Sequence, residues 1–366
     1  MLYPAVNIPR IEWNPPYMIV RRSARPLETV DGRLDKAFWE QTNFCDDFHD
    51  IEGDRLLGPL KKTEIKLLWD DVCLYIGVRL TENEIWANVT DSNLPSYLDN
   101  DMEFFFTQDP GLQPYFELEM NARNVLWDLF LSTAYRDCGR PTSQALFSWD
   151  MPGVRSAVHI DGKLNDPSAD NRFWSVEVVI PWFTLSTFPP DERYPDRYAP
   201  KPGDIWRANF SRVEHRVDVR ENQYHKRMDP ATGKPFPEYN WVWAPTGVID
   251  IHIPEMWGFL LFSDDPRAAF IFPPDACSQM RLFRLYYAMR AYGAAYGRYT
   301  SAFAELAEFA ERTDAEGLRT LRIAGRPGEW PPSPELYVTP NLFEITSREE
   351  TGTWHIRQDG YIWKTC

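Results

Sequence analysis

The chain has 366 residues and a formal net charge of −15 at pH 7. Binding to nucleic acid or to an anionic membrane surface needs clustered Lys and Arg, so this charge argues against both as partners. Aromatic residues make up 15% of the chain and 31 prolines accompany them, which is typical of a β-rich protein with many loops.

The cysteines and the N-terminus bear on the compartment. Five cysteines are scattered at positions 45, 73, 138, 277 and 366, and this odd number without close spacing predicts free thiols in a reducing compartment. Residues 1–10 contain no basic start followed by an apolar run, and no apolar stretch reaches the roughly 18 residues that a membrane span needs. We therefore expect a soluble cytoplasmic protein without membrane insertion, or an extracellular one if a leader was removed.

The first elements in chain order are an arm and a turn-rich segment. Residues 1–25 are rich in proline and predict an extended N-terminal arm. In the stretch from Val30 to Trp39, Asp31-Gly32 predicts a turn, and three residues are of the buried type, namely Leu34, Phe38 and Trp39. Residues 63–70 and 72–81 then predict two strands joined at a tight acidic turn.

Short alternating strands continue along the middle of the chain. The runs that predict strands are 101–107, 115–121, 125–131, 173–180, 205–213 and 257–262. Strands at this density, without helical periods between them, predict a mainly β protein. We expect an antiparallel β-sandwich of the jelly-roll type over residues 26–265.

The pattern changes after residue 265. Apolar residues recur at spacings of three and four from Leu282 to Leu306 and predict one amphipathic helix that breaks near Gly297. Three strand-like runs follow at 335–346, 353–358 and 361–364. Residues 266–366 therefore predict a helix with a small antiparallel sheet, a region that packs on the sandwich, on a protein partner or on a second copy of the chain.

Alternation along the strands predicts a polar face. It places Glu103 on the face opposite Met102, and it places Glu117, Glu119 and Asn121 together on one face of the next strand. If these strands are neighbours, carboxylates and amides line one side of a sheet whose other side is core. Such a face can bind sugar hydroxyls, and the alternative is a solvated sheet surface. Trp127, on the strand that follows, is expected in the core.

Four blocks of the chain carry a family resemblance. Residues 30–39, 63–81, 101–107 and 257–262, in this order and spacing, resemble the family 9 carbohydrate-binding modules and the DOMON-like sandwiches to which these belong. The resemblance covers roughly residues 20 to 265. It implies a non-catalytic or weakly catalytic carbohydrate-binding protein whose partner is a sugar or glycan terminus, with no required cofactor and with structural Ca²⁺ as an option. Acidic turns at 46–47, 50–54 and 70–71 offer oxygen ligands for such ions.

The resemblance also implies site residues. Family 9 modules hold a sugar between two aromatic rings, and the first ring, six residues before the strand glutamate Glu103, falls at Tyr97. The position of the second ring falls at Ile251, so Trp241, Trp243 or His252 would supply the other wall. The resemblance implies polar ligands at Glu119, where the family carries an arginine, and at Asn209 and Ser211. The complete predicted ligand set is Tyr97, Glu103, Glu119, Asn121, Asn209, Ser211, Arg212, Trp241, Trp243 and His252, in which Arg212 would act as a planar fork for an acidic ligand.

Two competing functions use residues of the same strands. A glycoside hydrolase would need two carboxyl groups roughly 5 to 9.5 Å apart, for which Asp101, Glu103 and Glu119 are the candidates. A haem-binding DOMON-like protein would ligate iron through methionine or histidine. The candidate methionine ligands are Met102, Met120 and Met256. Met102 and Met120 are expected to point into the core.

Overall fold

The computed structural model describes residues 4–53, 57–92, 94–138, 145–146, 149–186, 198–312, 316–325, 330–350 and 352–366. The strands are β1 Tyr17–Arg22, β2 His49–Asp50, β3 Thr63–Trp69, β4 Cys73–Thr81, β5 Asp101–Thr107, β6 Tyr115–Asn121, β7 Leu126–Leu131, β8 Ala145–Leu146, β9 Arg155–Asp161, β10 Phe173–Pro181, β11 Ile205–Glu214, β12 Val217–Arg220, β13 Gln223–Lys226, β14 Tyr239–Val242, β15 Gly258–Ser263, β16 Glu335–Val338, β17 Phe343–Glu349, β18 Gly352–Arg357 and β19 Ile362–Thr365. The helices are α1 Tyr135–Cys138, α2 Pro274–Tyr296, α3 Phe303–Arg312 and α4 Glu316–Thr320. None of these described helices combines the length and the apolar character that crossing a bilayer requires.

One curled sheet of 13 strands builds the sandwich. Its order is β8-β7-β6-β5-β11-β15-β1-β3-β4-β10-β9, with β14 beside β11 and β2 beside β14. Side chains from both halves meet in the main core, where Ile76 and Val178 join Phe104, Leu118 and Phe210. The sheet therefore folds over on itself into two layers, which confirms the predicted β-sandwich.

Strand β1 corrects the predicted N-terminal arm. Residues 17–22 lie inside the sheet, where they pair in parallel with both β15 and β3. Val20 is completely buried in the main core. The run Tyr-Met-Ile-Val has the aromatic and β-branched composition of a strand, so the irregular segment ends before residue 17 and the sheet is not antiparallel throughout.

The segment 30–39 is attached to the sandwich through one buried carboxylate. Glu177 on β10 accepts hydrogen bonds from the backbone N–H groups of Asp31 and Gly32, at 2.9 and 3.0 Å. It also accepts the indole N–H of Trp39 at 2.7 Å and pairs with the ammonium group of Lys36 at 2.6 Å. The turn, the lysine and the tryptophan of this segment therefore all converge on a single side chain.

Glycine is required at the turn of this segment. Gly32 has a φ of +81°, and a Cβ atom there would lie 2.3 Å from the backbone nitrogen of His159. Both the left-handed conformation and the close approach of β9 exclude a side chain.

The C-terminal region packs on the sandwich. Helix α2 ends at Gly297, whose φ of +66° gives a left-handed cap, and α3 begins as a separate helix. The break predicted near Gly297 is therefore confirmed. Helix α2 is buried on nearly all sides rather than amphipathic, because β17 and β18 cover one side and sandwich residues such as Met256 and Phe259 share its core. Strands β16–β19 form the predicted small antiparallel sheet.

A buried polar network joins the two regions. Arg136 on α1 pairs with Glu255 of the sandwich at 3.1 Å and donates to the Tyr287 hydroxyl of α2 at 2.6 Å. Arg290 of α2 donates to Asp137 of α1 at 3.3 Å, to the carbonyl oxygen of Pro4 at 2.8 Å and to that of Gln358 at 2.7 Å. The network, which we call the joint, ties helix α1 to helix α2.

Candidate functional site

The register of three strands assembles the site. Strand β6 pairs with β5 so that Glu119 lies opposite Glu103, and β11 places Ser211 on the other side of Glu103. The residues that alternate with these point into the main core, namely Met102, Phe104, Phe106, Phe116, Leu118 and Met120. The predicted division into a polar and an apolar face is therefore confirmed, and the polar face is the outer face of the sheet.

Four carboxyl groups occupy the middle of this outer face. They belong to Asp101, Glu103, Glu117 and Glu119, and each of these residues is buried. Glu103 is the most accessible of the four, with 6% of its surface exposed. The alternative of a solvated sheet surface is therefore wrong for these four carboxyl groups.

Two aromatic rings lie at one edge of the carboxyl groups. Tyr97, in the 3₁₀ turn Ser96–Leu98, donates its backbone N–H to Oε2 of Glu119 at 3.1 Å. Its ring is 6.2 Å from the ring of Trp127 and inclined at 63° to it. Tyr97 is 42% exposed whereas Trp127 is buried, so Tyr97 forms the outer rim. Trp127 is buried as expected, but it lies on the outer face opposite Glu119 instead of in the main core.

A second aromatic group lies at the other end of the face. The His252 ring is 4.3 Å from the ring of Tyr135 and 5.7 Å from that of Phe105, and its Nδ1 is 2.9 Å from the Tyr115 hydroxyl. Burial lowers the pKa of His252 to about 4, so this ring is neutral at pH 7. Burial is the largest cause of the raised pKa of Tyr135, and the charges of Glu117 and Glu119 raise it further. The Tyr135 hydroxyl is therefore close enough to these carboxyl groups to interact with them electrostatically.

Burial also governs the protonation of the four acids. It is the largest cause of a raised pKa for each of them, and neighbouring acids add to the effect for Asp101, Glu117 and Glu119. The pKa of Glu103 rises to about 7. Among the described residues, no basic side chain forms an ion pair with any of the four within 4.0 Å. Protons or a bound cation must therefore balance part of this charge.

Several polar atoms of the site have unused bonding capacity. Neither carboxyl oxygen of Asp101 accepts a hydrogen bond of normal geometry, and the same is true of Oε2 of Glu117 and the hydroxyl of Ser211. Each buried polar group without a partner costs about 1–3 kcal/mol. One oxygen each from Asp101, Glu103 and Glu119 lies within 4.8 Å of the other two, so this group could hold a hard cation.

Two predicted amide ligands have structural roles instead. The Asn121 amide donates to the Val89 carbonyl and to Asp99, while its oxygen accepts from the backbone of the following turn. The Asn209 amide donates to the carbonyl of Ala244 at 2.9 Å, and its oxygen accepts the Ala244 N–H at 2.9 Å. Both side chains are completely buried and attach remote loops to the sheet, so neither is available to a ligand.

Three other predicted ligands lie on the wrong face. Arg212 alternates with Ser211 on β11 and points inward, where it pairs with Glu82 and Glu214 at 2.9 Å each. Trp241 lies under the Arg212 guanidinium at 5.4 Å, and the Trp243 ring packs 5.3 Å from Phe210 in the main core. Both indole rings are 1% exposed. The prediction that Trp241 or Trp243 forms the second wall, or that Arg212 binds an acidic ligand, is therefore wrong.

The haem alternative loses its methionine ligands in this fold. Met102 and Met120 point into the main core as expected. Met256 lies in a buried turn and packs in the core that α2 shares with the sandwich. The sulfur atoms of Met102 and Met120 therefore lie on the core side of the sheet, and that of Met256 is buried among apolar side chains. The hydrolase alternative stays a prediction that no observation favours.

The acidic turns proposed for Ca²⁺ show a structural role where they are described. Oδ1 of Asp70 accepts the backbone N–H groups of Val72 and Cys73 at 2.8 Å each, which closes the turn between β3 and β4. Asp50 caps its own turn by accepting the N–H of Glu52 at 3.0 Å. Asp54 lies outside the described residues. The carboxyl groups that come close enough to share an ion are elsewhere.

Comparison with known proteins agrees with the fold. Residues 30–190 match the model of a family described as carbohydrate family 9 binding domain-like. No curated protein matches the chain. A solved structure from Bacteroides uniformis, to which carbohydrate binding has been provisionally ascribed, is similar at 13% identity and a TM-score of 0.46, covering 68% of this chain and 100% of its own.

Two solved family 9 modules from Caldicellulosiruptor kristjanssonii are also similar. The module in complex with glucose is 14% identical, with a TM-score of 0.40, and covers 70% of this chain and 100% of its own. The module in complex with cellotriose is 15% identical, with a TM-score of 0.37, and covers 70% and 99%. At this low sequence identity, the ligands of these structures do not identify the ligand of the present chain. The resemblance to the family 9 carbohydrate-binding modules is confirmed by the family match over residues 30–190.

Proposed function

We propose that this chain binds a carbohydrate on the outer face of its sandwich, at the rim formed by Tyr97. One observation carries the proposal: the half-exposed ring of Tyr97 stands beside buried carboxyl groups, and its own backbone N–H binds Glu119. The family match over residues 30–190 supports the same ligand class.

The chemistry of the site suits sugar hydroxyls. An aromatic ring can pack on the apolar C–H face of a sugar, which removes apolar surface from water. A carboxyl group whose pKa is near 7, as for Glu103, can donate a hydrogen bond when protonated and accept one when ionised. Glu103 is also the most exposed of the four acidic residues. We expect modest affinity, because each hydroxyl exchanges water for a protein partner.

Replacing Tyr97 with alanine is expected to weaken sugar binding at least about 10-fold, which corresponds to about 1.4 kcal/mol of lost packing. Tyr97→Phe keeps the ring and should retain most of the affinity. The measurement is a glycan array with the full chain, followed by calorimetry on the sugars retained, with glucose and cellotriose included in the panel.

Tyr337→Ala is the matched control, because this tyrosine is 57% exposed on the distant C-terminal sheet. Its affinity should equal that of the wild type. Absence of binding to every glycan by the wild type, or equal affinity of wild type and Tyr97→Ala, would contradict the proposal.

A further inference from the structure

Three carboxyl groups on the outer face converge on one point. Asp101 and Glu103 lie two residues apart on β5, and Glu119 lies opposite Glu103 on β6. One oxygen of each lies within 4.8 Å of the others. A cation with metal–oxygen distances of 2.3–2.6 Å spans ligand atoms that are up to roughly 5 Å apart, so a single Ca²⁺ could contact all three.

The bonding state of Asp101 points independently to a ligand at this place. Asp101 is completely buried, yet neither of its carboxyl oxygens accepts a hydrogen bond of normal geometry. Two further oxygen atoms on the same face, the Ser211 hydroxyl and Oε2 of Glu117, also form no hydrogen bond of normal geometry. Glu119 binds the Tyr97 N–H through Oε2 alone. The face therefore offers oxygen donors beyond the three that converge.

A second acidic group in the chain shows the contrasting case. Glu82, Glu84 and Glu214 also bring their oxygens within 4.8 Å of one another. There, however, the Lys61 ammonium group lies 2.7 Å from Glu214 and 3.2 Å from Glu84, and Arg212 pairs with Glu82. That group already contains its cations as side chains. Among the described residues, the group on the outer face contains none within 4.0 Å.

We propose that Asp101, Glu103 and Glu119 form a binding site for one Ca²⁺ ion on the outer face of the sandwich, with the Ser211 hydroxyl, which lies opposite Glu103 in the sheet register, as a further oxygen donor. Hard oxygen donors in an irregular, water-poor setting favour Ca²⁺ over Mg²⁺, which holds on to several of its waters. The site is distinct from the acidic turns at 46–47, 50–54 and 70–71.

The test uses the full chain after treatment with a chelator, in the absence of sugar. Calorimetric titration with CaCl₂ should show one ion per chain, and the melting temperature should rise by several degrees in Ca²⁺ and fall back with chelator. Asp101→Asn and Glu103→Gln, which keep side-chain size but remove a charged oxygen donor, should each lose this response. In chelator both variants should melt no lower than the wild type, because each removes one of several crowded acids.

Glu84→Gln is the matched control, since it changes the second acidic group, and its Ca²⁺ response should equal that of the wild type. The proposal is overturned if the wild type takes up no Ca²⁺, if both outer-face variants keep the response, or if Glu84→Gln loses it. Because Ca²⁺ is titrated without sugar, a failure to bind Ca²⁺ does not contradict the carbohydrate proposal. A failure to bind sugar likewise does not affect the calcium measurement.

Discussion

Replacing Glu177 with alanine is expected to lower the free energy of unfolding by about 3–5 kcal/mol, the usual cost of removing one partner of a buried ion pair. Glu177 is completely buried and accepts the N–H groups of Asp31 and Gly32, the indole N–H of Trp39 and the ammonium group of Lys36. Without the carboxylate, the buried N–H of Gly32 and the buried indole N–H of Trp39 lose their acceptor, while the partly exposed Lys36 keeps its contacts with Asp31 and the Arg33 carbonyl.

Urea unfolding of the full chain measures this effect. Glu177→Gln retains one acceptor oxygen and should lose less stability than Glu177→Ala. Asp161→Asn is a control on the neighbouring strand β9, where Asp161 pairs with the exposed side chain of Arg172, and it should cost less than about 1 kcal/mol. A loss below about 1 kcal/mol for Glu177→Ala would show that the segment 30–39 is held by other contacts.

The stability of the chelator-treated chain is expected to fall as the pH rises from 5 to 8. The folded pKa of Glu103 is raised from 4.5 to about 7, so the folded state keeps a proton that the unfolded state releases. This contribution is present below the unfolded pKa of 4.5 and is lost as the pH rises through about 7. For Glu103 alone it is on the order of 3 kcal/mol. Asp101, Glu117 and Glu119, whose pKa values are also raised, act in the same direction.

Glu103→Gln tests this contribution. The variant should lose on the order of 3 kcal/mol less than the wild type between pH 5 and pH 8, measured by urea unfolding in chelator. Removing the charge of Glu103 also lowers the raised pKa values of Asp101, Glu117 and Glu119, which weakens the pH dependence of the variant further. Glu84→Gln should follow the wild type. An identical pH dependence for wild type and Glu103→Gln would contradict the raised pKa.

The part of the site that sequence could predict depends on local periodicity. Side chains alternate strictly along a strand, so the sequence alone separates Glu103 from Met102 and places Glu117 with Glu119 on β6. The position of Tyr97 relative to Glu103 follows from the family pattern, and the fold keeps the two on one face. These predictions need only that β5 and β6 are neighbours, which a short connection favours.

The part that sequence could not predict depends on long-range register. Trp241 and Trp243 have the composition of a sugar platform, but the pairing of β14 with β11 turns both rings inward. Asn209 and Asn121 appear free in the sequence, yet each binds the backbone of a loop that is distant along the chain. Tyr135 begins the short helix α1, and the sequence around it has no periodicity, so no local signal places it near the acids.

The joint between the two regions contributes to the geometry of the proposed sugar site. Tyr135, whose ring packs against His252 at one end of the acids, is followed directly by Arg136 and Asp137, the two residues of α1 that bind helix α2. Cutting the chain after residue 265 would remove Tyr286, Tyr287 and Arg290, which bind Asp137 and Arg136 in the joint, and would expose these two side chains to water. A ligand screen is therefore better made on the full chain, in which the residues that follow Tyr135 keep their partners on α2.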